Sequence, residues 1–189
     1  PSALMSATPS PFRPSLGRRK LLANFAALSL MACGPSVTSD PADRVPAWQL
    51  EDVQPASERY EEEYGPEAFA GTALLVALLP GENDRAPELA AALESLYAEC
   101  LDEGLSISFC IVNRSGDDGA SALSEEVSFP VFQDRRDVGA WGRHGGVAFD
   151  VFVYSPDGAA LEKLNLSEEE GDTLSDSTHA RLKEALSFE

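Results

Sequence analysis

The run Thr72-Ala73-Leu74-Leu75-Val76-Ala77-Leu78-Leu79, ended by Pro80-Gly81, constrains this chain more than any other stretch. A continuous apolar run of this length, stopped by a turn pair, suits a strand buried on both faces. Such strands sit inside a sheet that is covered on each side. Asn83 or Asp84 then stands where a helix cap belongs, and Leu89, Leu93, Leu96 and Tyr97 recur at helical spacing. This predicts a helix running to about Glu103, closed by Gly104. Leu105 to Val112 alternates and then turns apolar, which predicts a second strand. Strand, helix and strand in this order form a right-handed βαβ crossover.

The remaining segments are shorter. Val45 to Val53 is an extended segment with an early proline, and Ser57 to Tyr64 is polar, with room for one or two helical turns. Arg114 to Glu126 reads as a loop rich in Gly, Ser and Asp. Val127 to Phe132 is a short strand whose Pro130 assigns it to the periphery of a sheet. Asp134 to Trp141 predicts a short helix with Asp134 as its cap. Val147 to Tyr154 is a third strong strand, and Ser155-Pro156-Asp157-Gly158 is a turn in which proline pre-sets φ and glycine accepts a positive φ. Ala159 to Leu166 returns as the hairpin partner, and a last helix runs from about Leu174 to Leu186. The expected fold class is α/β: a three-layer α/β/α sandwich on a central mixed sheet, βαβ and then ββα.

The N-terminal part reads as an address. Arg18-Arg19-Lys20 precedes an apolar run of about a dozen residues, too short to span a bilayer comfortably. Leu30-Met31-Ala32-Cys33 resembles a bacterial lipobox, in which the cysteine becomes the first mature residue and carries the lipid. Arg18-Arg19 also resembles a twin-arginine export signal. A cleaved soluble secretory peptide and an uncleaved anchor remain open. Residues 1–33 are thus expected to be a disordered N-terminus plus lipoprotein signal, with Met5 a candidate start. Residues 34–44 are expected to be a flexible tether, and residues 45–189 one domain. The membrane is then a partner through the lipid on Cys33, and the expected location is the bacterial periplasm or outer membrane.

Charge narrows the partners. All 32 acidic residues follow Cys33, whereas four of the 14 basic residues, Arg13, Arg18, Arg19 and Lys20, precede it, leaving ten bases and a net of −22. Such a surface repels nucleic acid and anionic lipid. It serves solubility or a cationic partner. The two histidines, His144 and His179, lie far apart without a metal-like spacing, so no metal and no cofactor is expected.

Several segments together resemble redoxin and peroxiredoxin-type domains of the thioredoxin-like superfamily. Pro46-Ala47-Trp48-Gln49-Leu50-Glu51-Asp52 is similar to their opening, and Gly71 with the apolar strand after it to the strand leading to their active site. Phe129-Pro130-Val131-Phe132-Gln133-Asp134, then Trp141, resembles the segment before their last hairpin. Asp150 to Gly158 resembles the strand and turn of that hairpin. The order of elements matches as well, over residues 45 to 188. The resemblance implies a thioredoxin-like fold with a reactive cysteine at the N-terminus of the helix after the first strand, where the helix dipole favours thiolate.

Here the chain departs from the family. The corresponding stretch, Pro80-Gly81-Glu82-Asn83-Asp84-Arg85-Ala86-Pro87, has no Cys, Ser or Thr. Pro80 stands for the proline of the peroxiredoxin loop, but Pro87 stands where the peroxidatic cysteine would be. Phe149 occupies the place of the family's cis-proline. Pro80, Asp84, Arg85, Pro87 and Phe149 are therefore read as a vestigial site. Loss from a redox ancestor accounts for both departures.

Cys100 and Cys110 are the remaining thiols. Three readings stand open for them: a structural disulfide, two buried free thiols, or a redox-active pair. A disulfide needs Cα atoms within about 7 Å. Cys100 lies at the wrong helix end for thiolate, and Cys110 is flanked by Phe109 and Ile111 in a core strand. Other constellations are weaker. Glu61 to Glu63 and Glu168 to Glu170 read as solvated faces, Asp134 to Asp137 as a capped helix start, and Trp141 as a core or groove aromatic. Arg85 is either an anion contact at the vestigial site or a solvated first-turn residue. The expected function is a non-catalytic binding or scaffold module at the cell envelope, with an envelope protein as partner. It would use residues 80 to 87 and 147 to 150. The alternative is a thiol–disulfide oxidoreductase or peroxidase working through Cys100 and Cys110.

Overall fold

A computed structural model of the protein describes residues 43–169 and 171–187. The leader, the lipidation expected at Cys33 and all but the end of the expected tether lie outside the described residues. In chain order the elements are β1 (Leu50–Glu51), β2 (Glu63–Tyr64), a 3-10 turn (Pro66–Phe69), β3 (Ala73–Leu79), α1 (Arg85–Asp102), β4 (Ile107–Asn113) and α2 (Asp117–Ser124). They continue with β5 (Val131–Gln133), α3 (Ala140–Arg143), β6 (Asp150–Tyr154), β7 (Ala160–Asn165) and α4 (Asp176–Leu186).

Five strands form one mixed sheet in the order β5-β4-β3-β6-β7. Strand β3 is central, and every residue in it is buried, as its unbroken apolar run requires. It pairs parallel with β4 and antiparallel with β6. The proline-preceded β5 lies at one edge, parallel to β4. The turn after Tyr154 returns β7 as the other edge, antiparallel to β6. Gly104, at φ +77, ends α1 in a conformation that only glycine adopts without strain.

Side chains of a strand alternate between faces, so the sheet separates two cores. On one face Leu75, Ala77 and Leu79 of β3 and Phe109 and Ile111 of β4 meet Leu89, Leu93 and Leu96 of α1, Leu123 of α2 and Leu182 of α4. On the other face Leu74, Val76, Leu78, Cys110 and Val112 meet Trp48, Leu50, Tyr64, Trp141 and Tyr154. The layers are thus α1, α2 and α4, then the sheet, then α3 with the N-terminal segment and the β1–β2 ribbon. That ribbon is closed by a buried carboxylate: Tyr64 Oη donates to Asp52 Oδ2 at 2.6 Å, and the Gln54 N–H donates to Asp52 Oδ1 at 3.0 Å.

Four local expectations change. Residues 57 to 62 form turns rather than a helix, because the Asp52 N–H donates to the Glu62 carbonyl and the Glu61 N–H to the Asp52 carbonyl, drawing the segment into the ribbon. The 45–53 segment pairs as a strand only at β1. The expected loop from Arg114 to Glu126 contains α2, which buries Ala120 and Leu123, three residues apart, and carries Asp117 and Asp118 in its first turn. The helix expected over 134–141 contracts to α3. Asp134 still caps it, from a distance, its carboxylate accepting from the Ala140 N–H at 2.9 Å and the Trp141 N–H at 3.2 Å.

The second core holds a buried polar chain. Trp48 Nε1 donates to His144 Nε2 at 2.9 Å, and His144 Nδ1 lies 2.8 Å from Tyr154 Oη. The indole proton fills the Nε2 lone pair, so neutral His144 carries its own proton on Nδ1 and donates to Tyr154. A second proton has nowhere to sit. Burial accordingly lowers the His144 pKa from 6.5 to about 3. The unfolded chain, with its histidine at its ordinary value, binds that proton first. The contribution of His144 to stability is therefore full above about pH 6.5 and falls by about 1.4 kcal/mol per pH unit as pH drops toward 3. Urea unfolding at about pH 7 and about pH 5 checks the slope, and His144→Gln flattens it.

Candidate functional site

The carboxyl ends of β3, β4 and β5 lie side by side, with Leu79 opposite Asn113 and Asn113 opposite Gln133. Ligand sites of open α/β sheets sit at such an edge. Here one fully buried side chain, Asn113, ties the three strand ends together. Its Oδ1 accepts from the Gly81 N–H and the Ser115 N–H, each at 3.0 Å. Its Nδ2 donates to Gln133 Oε1 at 2.8 Å and to the Ser115 carbonyl at 3.2 Å. Glycines then let two backbones touch. A Cβ on Gly81 would stand 2.1 Å from the Gly119 carbonyl oxygen in α2. The loop after β3 is thus closed against α2.

Helix α1 begins four residues on. Asn83, not Asp84, supports its start: Asn83 Oδ1 accepts from the Arg85 N–H at 3.0 Å, whereas the exposed Asp84 makes no side-chain capping bond. Pro87 lies in the first turn, where a missing N–H costs nothing. Arg85 reaches across the end of the sheet. Its Nη1 donates to the Ser167 carbonyl at 2.6 Å, and its guanidinium stands 5.6 Å from the centre of the Phe149 ring. Arg85 Nη2 is buried without a partner. Glu88 and Glu168 line the same cavity, so two carboxylates face one guanidinium, which disfavours an anion there.

Phe149 precedes β6 with φ +68, a left-handed conformation rare for a bulky residue. Two backbone bonds hold it: its N–H donates to the Leu78 carbonyl, and its carbonyl accepts from the Leu166 N–H, both at 2.8 Å. Proline fits neither requirement, since its φ is locked near −65° and it has no N–H. Next to it, Asp150 is buried. Burial pushes its carboxyl up, but Asn165, the Val147 N–H and Lys163 outweigh this and hold it below the usual carboxylate range.

The structure brings Pro80, Arg85 and Phe149 to one end of the sheet, with Asp84 and Pro87 on the first turn of α1. It leaves both thiols away from them. Cys100 is in the core between α1 and the sheet, and Cys110 is in the core on the other face. Strand alternation is the reason: Phe109 and Ile111 point at α1, so Cys110 points away. Both are free and buried, and no disulfide joins them. Burial pushes both thiols up, away from thiolate at neutral pH. Among the described residues, no group of three or more His, Cys, Asp or Glu could hold a metal ion, and no helix is long and apolar enough to cross a membrane.

The fold matches known structures. The thioredoxin domain of a Bacteroides vulgatus thiol-disulfide oxidoreductase superposes with a TM-score of 0.59 at 15% identity, covering 77% of this chain and 96% of that one. The chain has the thioredoxin-like fold. A secreted Mycobacterium tuberculosis disulfide oxidoreductase matches with a TM-score of 0.55 at 15% identity, over 72% and 95% of the two chains. A Bacteroides fragilis thiol-disulfide oxidoreductase matches at 0.56 and 17%, over 76% and 99%. At such identities the likeness establishes the fold. No family model and no curated protein matches the chain.

Sequence reasoning missed the Asn113 knot, although an Asn ending an apolar strand run and followed by Arg114-Ser115-Gly116 was its available signal. Asn113→Ala leaves the buried Gly81 N–H and the part-buried Ser115 N–H unpaired and is expected to cost about 2–4 kcal/mol in urea unfolding. Gly81→Ala, which meets Gly119, destabilises far more than Gly116→Ala, which meets nothing within 4 Å. In a chain carrying Cys33→Ser, Cys100 and Cys110 both react with iodoacetamide in urea without reductant, as mass spectrometry will show. A protected pair would mean a disulfide.

Proposed function

We propose that this chain is an exported, lipid-anchored protein whose thioredoxin-like domain binds a protein partner at the cell envelope without catalysing thiol–disulfide exchange. One observation carries the reading: the segment joining β3 to α1 offers no nucleophile, while the thiols of the domain are buried on opposite faces of the sheet. A thiol at the start of α1 would have the helix dipole and free N–H groups to stabilise it. Cys100 lies at the other end of α1, and Cys110 is enclosed by the second core. The domain thus presents a redox scaffold with its chemistry removed.

The surface left for binding is the end of the sheet around residues 80–87 and 147–150. Val147 is 63% exposed there, and half-buried Arg85 stands over Phe149. The export reading rests on the basic, apolar and Leu-Met-Ala-Cys33 succession, and the lipid on Cys33 would tether the domain to a membrane. Insulin reduction by the full chain with dithiothreitol tests the central point. The expected rate equals that of dithiothreitol alone, and Cys100→Ser and Cys110→Ser change nothing. Turnover that disappears in either variant would restore an enzyme. Incorporation of labelled palmitate, abolished by Cys33→Ala, tests the anchor.

A further inference from the structure

The domain is strongly acidic, so an unpaired cation in it is unusual. Its described part holds ten basic residues. Arg59, Arg135, Lys163, Arg181 and Lys183 sit in ion pairs. Arg44, Arg85 and Arg143 donate to backbone carbonyls. Among the described residues, only Arg114 and Arg136 have neither an acidic partner nor a hydrogen bond, and both line the same cavity of about 410 Å³.

That cavity lies at the carboxyl ends of β4 and β5, since Arg114 follows Asn113 and Arg136 follows the Gln133-Asp134-Arg135 stretch. Its inner wall is rigid. Trp141 is buried, its Nε1 donates to the Val112 carbonyl at 2.9 Å, and its ring carries the Arg114 guanidinium 4.4 Å from its centre. The contact places Arg114 without consuming its N–H donors. Asp134 also lines the cavity, but both its oxygens accept from backbone N–H groups of α3. Arg135, a third lining residue, is engaged by Glu63 at 2.5 Å and by Asp137 at 3.6 Å.

We propose that this cavity binds a small phosphate monoester. Two guanidiniums without counter-ions match a dianion better than a carboxylate, and their planar forks suit phosphate oxygens. The acidic surface around it turns away long polyanions, which restricts the ligand to a small molecule. The cavity lies at the same end of the sheet as residues 80–87 but shares no lining residue with them, so the proposal does not depend on what the domain's partner is.

Titration calorimetry of the full chain with phenyl phosphate, at low salt and about pH 7.5, where the ester is dianionic, tests it. Saturable binding with a dissociation constant of about 1 mM or tighter is expected, and benzoate binds about tenfold more weakly. Arg114→Gln and Arg136→Gln each weaken phenyl phosphate by about tenfold, whereas Arg181→Gln, paired elsewhere with Glu162, leaves it unchanged. Both arginines are exposed, so neither replacement disturbs the core. No saturation up to about 10 mM would overturn the proposal. So would equal affinity for benzoate, or unchanged affinity in the Arg114→Gln/Arg136→Gln double variant.

Discussion

The buried amide of Asn113 holds the carboxyl end of the sheet together. Parallel strands end without a hairpin to satisfy their last backbone groups, and β3, β4 and β5 all stop at one edge. Asn113 supplies acceptor and donors there in a single side chain, bonding to the loop after β3, to the turn before α2 and to Gln133 of β5. The close approach of Gly81 to Gly119 depends on that turn being in place. So does the placement of Arg114, one residue beyond Asn113. The amide thus positions two regions at once: the closed loop between β3 and α1, and the arginine-lined cavity beside it.

Strand periodicity decides the fate of the cysteines. With a period of two, Cys110 must face away from α1 once Phe109 and Ile111 face it. The helix that carries Cys100 packs on the opposite side. Ten residues of sequence separation therefore become opposite sides of a sheet, and no side-chain rotation bridges them. The same alternation encloses Cys110 with Val76, Val112 and Tyr154, where a charge is poorly solvated. On the facing strand Phe149 is left-handed, and its backbone geometry and its N–H bond to Leu78 both exclude proline at that position.

What was legible in the sequence was whatever local pattern controls. The apolar run of β3, the spacing of Leu89, Leu93 and Leu96, Gly104 and the Pro156-Asp157-Gly158 turn placed the buried central strand, α1 and the β6–β7 hairpin. The resemblance to redoxin domains was carried by residues 46–52, Gly71 with the strand after it, 129–134 with Trp141, and 150–158, and the fold matches it. What was not legible depends on distant partners. Helix α2 begins Asp-Asp-Gly, a poor helical sequence, and its glycine is there for contact with Gly81. The 57–62 turns follow from pairing with Asp52. The isolation of Arg114 and Arg136 depends on tertiary contacts: Asp134, the acid of their cavity, is engaged by backbone N–H groups of α3, and Arg135 is paired with Glu63 and Asp137.

The central claim is that this thioredoxin-like domain holds no reactive thiol. The most direct measurement is the Cβ chemical shift of 13C-labelled cysteine, followed against pH in the chain carrying Cys33→Ser. Both remaining resonances should stay at their thiol positions from about pH 5 to about pH 8.5, because burial disfavours thiolate. A thiolate step at about pH 7 or below, in either residue, would contradict the account.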